Sequence, residues 1–124
     1  MPKKISYFRN RADKLLQELG RLTYDKCLIC GRAYSCLHHF MPKSSCSALR
    51  YEWDNLIPIC SSCHLGIHSN RGASLIGKII GIKGQDWFDA LEKKKIGYLK
   101  TNITYYNDVI KRLEKVTKKI CQTN

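Results

Sequence analysis

Acidic side chains are scarce in this sequence, with 10 Asp and Glu standing against 22 Lys and Arg for a formal charge of +12. A balance so one-sided argues against a neutral metabolite as the principal ligand and fits an extended anionic partner such as nucleic acid. No apolar run approaches the roughly 20 residues that a bilayer span needs. The opening stretch, MPKKISYFRN, lacks the apolar centre of a secretory signal. The expectation is a soluble, intracellular protein with no membrane role. Internal repeats, linkers and low-complexity stretches are missing too. The length of 124 residues falls within the usual size of one domain, about 100 to 150 residues, so a single domain over 1–124 is expected, with one site carrying the function.

Cysteine, by contrast, is plentiful. Seven cysteines without a secretory segment read as metal ligands or buried thiols rather than disulfides. Four of them form two CxxC knuckles, Cys27-Leu28-Ile29-Cys30 and Cys60-Ser61-Ser62-Cys63. Each knuckle can present two thiolates to one tetrahedral zinc, so all four are expected to hold one structural Zn²⁺. Little apolar material lies between the pairs, and metal binding would supply the missing folding free energy. Cys36, Cys46 and Cys121 have no regular spacing and read as small apolar residues. Two decoys fail. Cys60 to His64 fits the haem-attachment pattern CxxCH, but that leaves Cys27 and Cys30 unexplained. Gly72 to Ile79 fits a phosphate-binding loop until Ile79, which stands where a Ser or Thr is required, so a helix with two glycines accounts for it better.

Helical spacing of Ile5, Phe8, Ala12, Leu15, Leu16 and Leu19 predicts an amphipathic helix from about Ser6 to Leu19, with Gly20 as its left-handed cap. Arg9, Arg11, Lys14 and Arg21 would ride its polar side. Between Cys27 and Asn70 the periodicity gives way to turns and two β-prone pieces, about Leu37 to Met41 and Leu56 to Ile59. Pro58 makes the second a short or edge strand. A short helix follows Cys60, then three more over about Gly72 to Ile80, Asp86 to Leu99 and Asn102 to Lys119. In the last, Ile103, Tyr106, Ile110, Leu113 and Val116 form the predicted buried stripe, with Lys111, Arg112, Lys115, Lys118 and Lys119 around it. Three segments are expected: an N-terminal helix over 1–22, a zinc-bearing core over 23–70 and a basic helical extension over 71–124.

All four histidines, His38, His39, His64 and His68, lie in the zinc-bearing segment. His64 and His68 are four apart, on one face of a helix, where two imidazoles can take adjacent positions on a metal. In a strand His38 and His39 point to opposite sides, so one can join that metal while the other serves a different role.

His38-His39, then Asn55 before the second strand, then His64 and His68, resembles the HNH or ββα-metal nuclease motif, and the flanking knuckles resemble its zinc-ribbon-bearing members. The most specific stretch is HHFMPKSSCSALRYEWDNLIPICSSCH, from His38 to His64. With the KGQDWF segment from Lys83 it also resembles phage recombination nucleases of the NinG/Rap type, which act on branched DNA such as four-way (Holliday) junctions. The resemblance implies an α+β fold: a small zinc-stapled ββα-metal core with an N-terminal helix and three C-terminal helices. It implies a DNA endonuclease in the cytoplasm of a bacterial or phage-infected cell. His39 would be the general base, and His38, His64 and His68 would hold one catalytic divalent metal, Mg²⁺, Mn²⁺, Ni²⁺ or Zn²⁺. Asn55 would orient His39 or pin its loop.

Phosphodiester hydrolysis needs a base for water and a cation for the phosphate and departing oxygen, and an imidazole of ordinary pKa, about 6.5, is largely neutral inside a cell. This sequence departs from the family where His38 replaces an Asp before the base. Three imidazoles favour a transition metal over an all-oxygen Mg²⁺ site. Lys43 and Arg50, between His39 and Asn55, are the candidate contacts to the scissile phosphate of duplex or branched DNA; the Lys93-Lys94-Lys95 run and the last helix would track the backbone further away. Symmetric cutting of both strands calls for a homodimer or sequential nicking. The competing readings are a zinc-dependent DNA-binding module without catalysis and a partner-binding protein with a helical interface.

Overall fold

The computed structural model describes residues 2–43, 47–95 and 100–123. It is α+β: among the described residues there are five helices and one two-stranded antiparallel sheet. The elements run α1 (Ile5–Thr23), β1 (Cys36–His39), β2 (Leu56–Ile59), α2 (Ser61–Ile67), α3 (Gly72–Lys83), α4 (Gln85–Lys95) and α5 (Ile103–Thr123), with short 3-10 turns at Ser47–Leu49 and Trp53–Asn55 between the strands. Cys46 and the end expected at Leu99 lie outside the described residues. None of the described helices is long and apolar enough to cross a membrane.

Two compact units result, one of Met1–Thr23 with Leu99–Asn124 and the other of Tyr24–Tyr98. In the first, α1 packs on α5. The buried residues recur at helical spacing, Ala12, Leu16 and Leu19 on α1 and Tyr106, Val109, Ile110 and Leu113 on α5, so each helix hides one apolar stripe in the other. The expected stripes are trimmed at their ends, since Ile5, Ile103 and Val116 are each 39% exposed. Nor does Gly20 cap α1. It is buried inside the helix, without a positive φ, and the helix runs on to Thr23, whose hydroxyl donates to the Leu19 carbonyl at 2.7 Å. The position is a buried one within the helix and not a turn of the backbone.

In the second unit β1 and β2 pair in register, Cys36 with Ile59, Leu37 with Pro58, His38 with Ile57 and His39 with Leu56. All four residues of β2 are buried. Ile57 and Ile59 join Cys27, Cys60, Cys63 and Ile79 of α3 in one apolar cluster, flanked by Leu28, Ile29, Phe40 and Trp87. Met41, Leu49 and Leu91 of α4 form a second cluster beside it. Helices α3 and α4, which the sequence groups with the basic extension, thus belong to the unit that carries the cysteines and histidines. Gly84, at φ +102, separates them, a conformation few residues but glycine tolerate.

Candidate metal centres

The first knuckle sits in a tight turn closed by the bridge between Lys26 and Ala33. The Cys27 amide donates to the Arg32 carbonyl at 2.7 Å, and the Gly31 amide donates to the Cys27 carbonyl at 3.0 Å. Gly31 has φ +76, the left-handed step that folds the chain back after a CxxC. A bond of 2.8 Å from the Leu28 amide to the Pro58 carbonyl ties this turn to β2. The second knuckle straddles the end of β2 and the start of α2. Cys60 caps the helix, its sulfur accepting from the Cys63 amide at 3.4 Å.

These turns bring the four cysteine sulfurs within 4.8 Å of one another, with Cys30 and Cys60 at 3.6 Å. Four thiolates around a tetrahedral zinc, with Zn–S bonds of about 2.3 Å, stand about 3.8 Å apart, so the donor set fits that ion. The Cys63 amide draws the Cys60 thiol down to about 7, the start of the thiolate character a metal requires. Burial pushes Cys63 up to about 12, with the neighbouring thiols adding to the rise. A buried group of thiolates carries a repulsion that only a cation relieves.

The second cluster is built by the strand alternation and by α2. The ring nitrogens of His38, His64 and His68 lie within 4.8 Å of one another, and the ring centroids are 5.1 to 5.6 Å apart. His38 comes from β1 and His64 from α2, while His68 is the residue that ends α2, one position beyond its last turn. Burial holds His38 down to about 4, with His64, His68 and His39 adding like-charge repulsion. His64 is lowered too, by burial and then by His68. Three imidazoles with convergent nitrogens suit a divalent transition metal. The Cys36 sulfur lies 3.4 Å from His64 Nδ1, so Cys36 is more than the small apolar filler expected from its spacing.

His39 is a member of neither cluster, and its Nε2 lies 2.9 Å from the Arg50 carbonyl. A carbonyl only accepts, so Nε2 carries the hydrogen and the lone pair resides on Nδ1. Asn55 brackets His39. Its carbonyl accepts from the Phe40 amide at 2.9 Å. Its fully buried side chain accepts from the Met41 amide at 2.7 Å and donates to the carbonyls of Met41 and Leu49 at 3.1 and 3.2 Å. The loop from His39 to Arg50 is thereby tied at both ends to one amide. Arg50 is half-buried and Lys43 exposed. Trp87, present in the sequence only as part of KGQDWF, packs edge-on against Phe40 and donates its indole N–H to the Asp54 carbonyl at 2.8 Å. Within the lysine run Lys94 pairs with Glu52 at 3.2 Å and Lys95 with Glu92 at 3.8 Å.

Residues 27–70 match the HNH endonuclease family. Over 82 residues, or 63% of this chain, the sequence is 37% identical to a mitochondrial DNA mismatch repair protein mutS homolog of Sarcophyton glaucum. The match covers 7% of that much longer relative. No solved structure matches.

Proposed function

We propose that this chain is a metal-dependent DNA endonuclease that hydrolyses phosphodiester bonds at a single metal held by His38, His64 and His68, with His39 as general base. The observation that carries this reading is the convergence of three histidines beside a fourth whose tautomer is set by a backbone carbonyl, inside the segment that matches a nuclease family. The mismatch repair relative adds support for DNA as the polymer.

Bound there, a divalent metal would supply positive charge to the scissile phosphate and the departing 3′ oxygen. The protein's own part is positional. His39 donates Nε2–H to the Arg50 carbonyl and takes the proton of the attacking water on Nδ1. Asn55 bonds their chain neighbours, the Leu49 carbonyl next to Arg50 and the Phe40 amide next to His39, and so acts as a pinning rather than a reacting residue. Lys43, exposed on the same loop, is placed to contact phosphate. The four-cysteine site takes a structural zinc.

The test is cleavage of supercoiled plasmid and of a synthetic four-way junction by wild type and His39→Ala, with Mg²⁺, Mn²⁺, Ni²⁺ and Zn²⁺ in turn. Metal-dependent cutting that falls about 10²- to 10⁴-fold in the variant, with DNA binding retained, is the expected result, and preference for the junction would place the enzyme on branched recombination intermediates. Tight binding without cutting under any metal would leave a zinc-stapled DNA-binding protein instead.

A further inference from the structure

The cationic charge is concentrated in the unit that holds neither metal cluster. Met1–Thr23 and Leu99–Asn124 together carry 12 Lys and Arg against 4 Asp and Glu, a net +8, whereas Tyr24–Tyr98 carries 10 against 6, a net +4. The smaller unit, with neither cluster, holds two thirds of the protein's net charge.

That charge has a direction. At about 100° per residue, Lys111, Arg112, Lys115, Lys118 and Lys119 fall within an arc of about 120° on α5. All five are exposed, and the arc lies opposite the buried Tyr106, Val109, Ile110 and Leu113. From Lys111 to Lys119 the stripe is about 12 Å long, the axial rise of about three to four phosphates on one strand of a duplex. Two acids lie near it: Asp108 at the N-terminal end of the same arc, and Glu114 beside it, which is engaged by Arg11 at 3.0 Å. On α1 the face opposite the buried stripe presents Tyr7, Asn10, Arg11 and Lys14, which line a shallow cavity of about 230 Å³, with the Lys3 ammonium 4.0 Å above the Tyr7 ring. By contrast, the Lys93–Lys95 run is partly neutralised by Glu52 and Glu92.

We infer that the α1–α5 unit is a sequence-independent grip on the nucleic-acid backbone, in which the α5 stripe from Lys111 to Lys119 contacts successive phosphates. This rests on the proposed DNA substrate and extends it by assigning affinity to a different unit from the chemistry. A membrane surface fits less well, because the apolar faces of α1 and α5 are buried in one another and a lipid-binding helix needs such a face for the bilayer.

The experiment uses the full zinc-loaded chain and a labelled duplex of about three helical turns, with anisotropy measured between about 50 and 200 mM salt and no catalytic metal added. For Lys111→Gln/Lys115→Gln/Lys118→Gln, binding weakens roughly tenfold or more and the slope of log affinity against log salt falls by about 2 to 3. Lys93→Gln/Lys94→Gln/Lys95→Gln, which removes the same charge, lowers the slope by about 1 or less. Should the triple variant lose its circular dichroism spectrum, Arg112→Gln/Lys119→Gln on the same stripe serves in its place, with an expected drop of about 2. Equal changes in the two lysine sets, an unchanged slope in the α5 variant, or binding to phosphatidylserine vesicles without binding to the duplex would overturn the inference. Cleavage activity is read separately on wild type, so a chain that grips DNA through α5 but cuts nothing defeats the nuclease and keeps the grip, whereas one that cuts with an unaltered slope does the reverse.

Discussion

The four-cysteine and three-histidine clusters share one short helix and differ in almost everything else. Three of the four cysteines are buried, and Leu28, Ile29, Ile57, Ile59, Ile79 and Trp87 close around them. No histidine of the second cluster is fully buried, and His68 is exposed. A complete tetrahedral donor set leaves no coordination position for a substrate even though Cys30 is exposed, whereas three donors leave room for water and phosphate. On the proposed reading, the first site would hold an ion for the fold and the second an ion for the chemistry.

That contrast would break most visibly at Cys63→Ser. Structural zinc contributes on the order of 10 kcal/mol or more, so the variant should lose its zinc and the cooperative unfolding of the Tyr24–Tyr98 unit, followed by metal analysis and near-ultraviolet circular dichroism. Retention of both would mean that the cysteine cluster is not structural. At His64→Ala the pattern should invert: calorimetric titration shows one metal-binding event in place of two and plasmid cutting disappears, while the zinc-loaded chain still folds. Two surviving events would show that the histidines are not a separate site.

Asn55→Ala probes the loop between the strands. It strands the Met41 amide and the carbonyls of Met41 and Leu49 and should cost about 2 to 5 kcal/mol in urea unfolding; a loss below about 1 kcal/mol would remove the pinning role. A pH effect sharpens the contrast further. In protein with zinc on the cysteines and no metal on the histidines, burial keeps His38 neutral down to about 4, while in the unfolded chain it protonates near 6.5. The unfolded state therefore takes up protons first as pH falls. The contribution of His38 to stability is complete above about 6.5, declines between about 6.5 and 4, and declines no further below that. Urea midpoints of His38→Gln should fall less steeply than those of wild type across this window, and parallel curves would refute it. The smallest effect is expected at Cys36→Ala, where loss of the sulfur beside His64 weakens metal binding at the histidines about tenfold without altering zinc content at the cysteines. An unchanged histidine-site affinity would make Cys36 a packing residue only.

Most of both clusters is legible in the sequence because their chemistry is local, while the choice of His38 over His39 comes only with the family resemblance. CxxC spacing and the four-residue interval of His64 and His68 come with their own geometry, and the two strands follow from β-prone pieces bounded by turns. Long-range packing was not legible. Gly20 looked like a cap because the apolar spacing ends at Leu19, yet burial of that position decides its role. A loop-pinning Asn55 is implied by the family resemblance, but its partner 14 residues back at Met41 is not, since Asp54-Asn55 by itself reads as an ordinary turn. The contact between Cys36 and His64 exists only once β1 lies beside α2. Gly31 could have been found, since a glycine directly after a CxxC supplies the left-handed step that such a turn needs.

Helix α2 spans only seven residues, well below the length at which a helix persists alone in water. It begins on the sulfur of Cys60, carries Cys63, and sets out His64 and His68 at its far end. Zinc captured by the cysteines would therefore order the segment that displays two of the three histidines, and the two ions would load in sequence rather than independently. On the proposed reading, zinc supply acts as an upstream permission: a newly made chain stays harmless to DNA until the first ion has arrived, however much of the second is present.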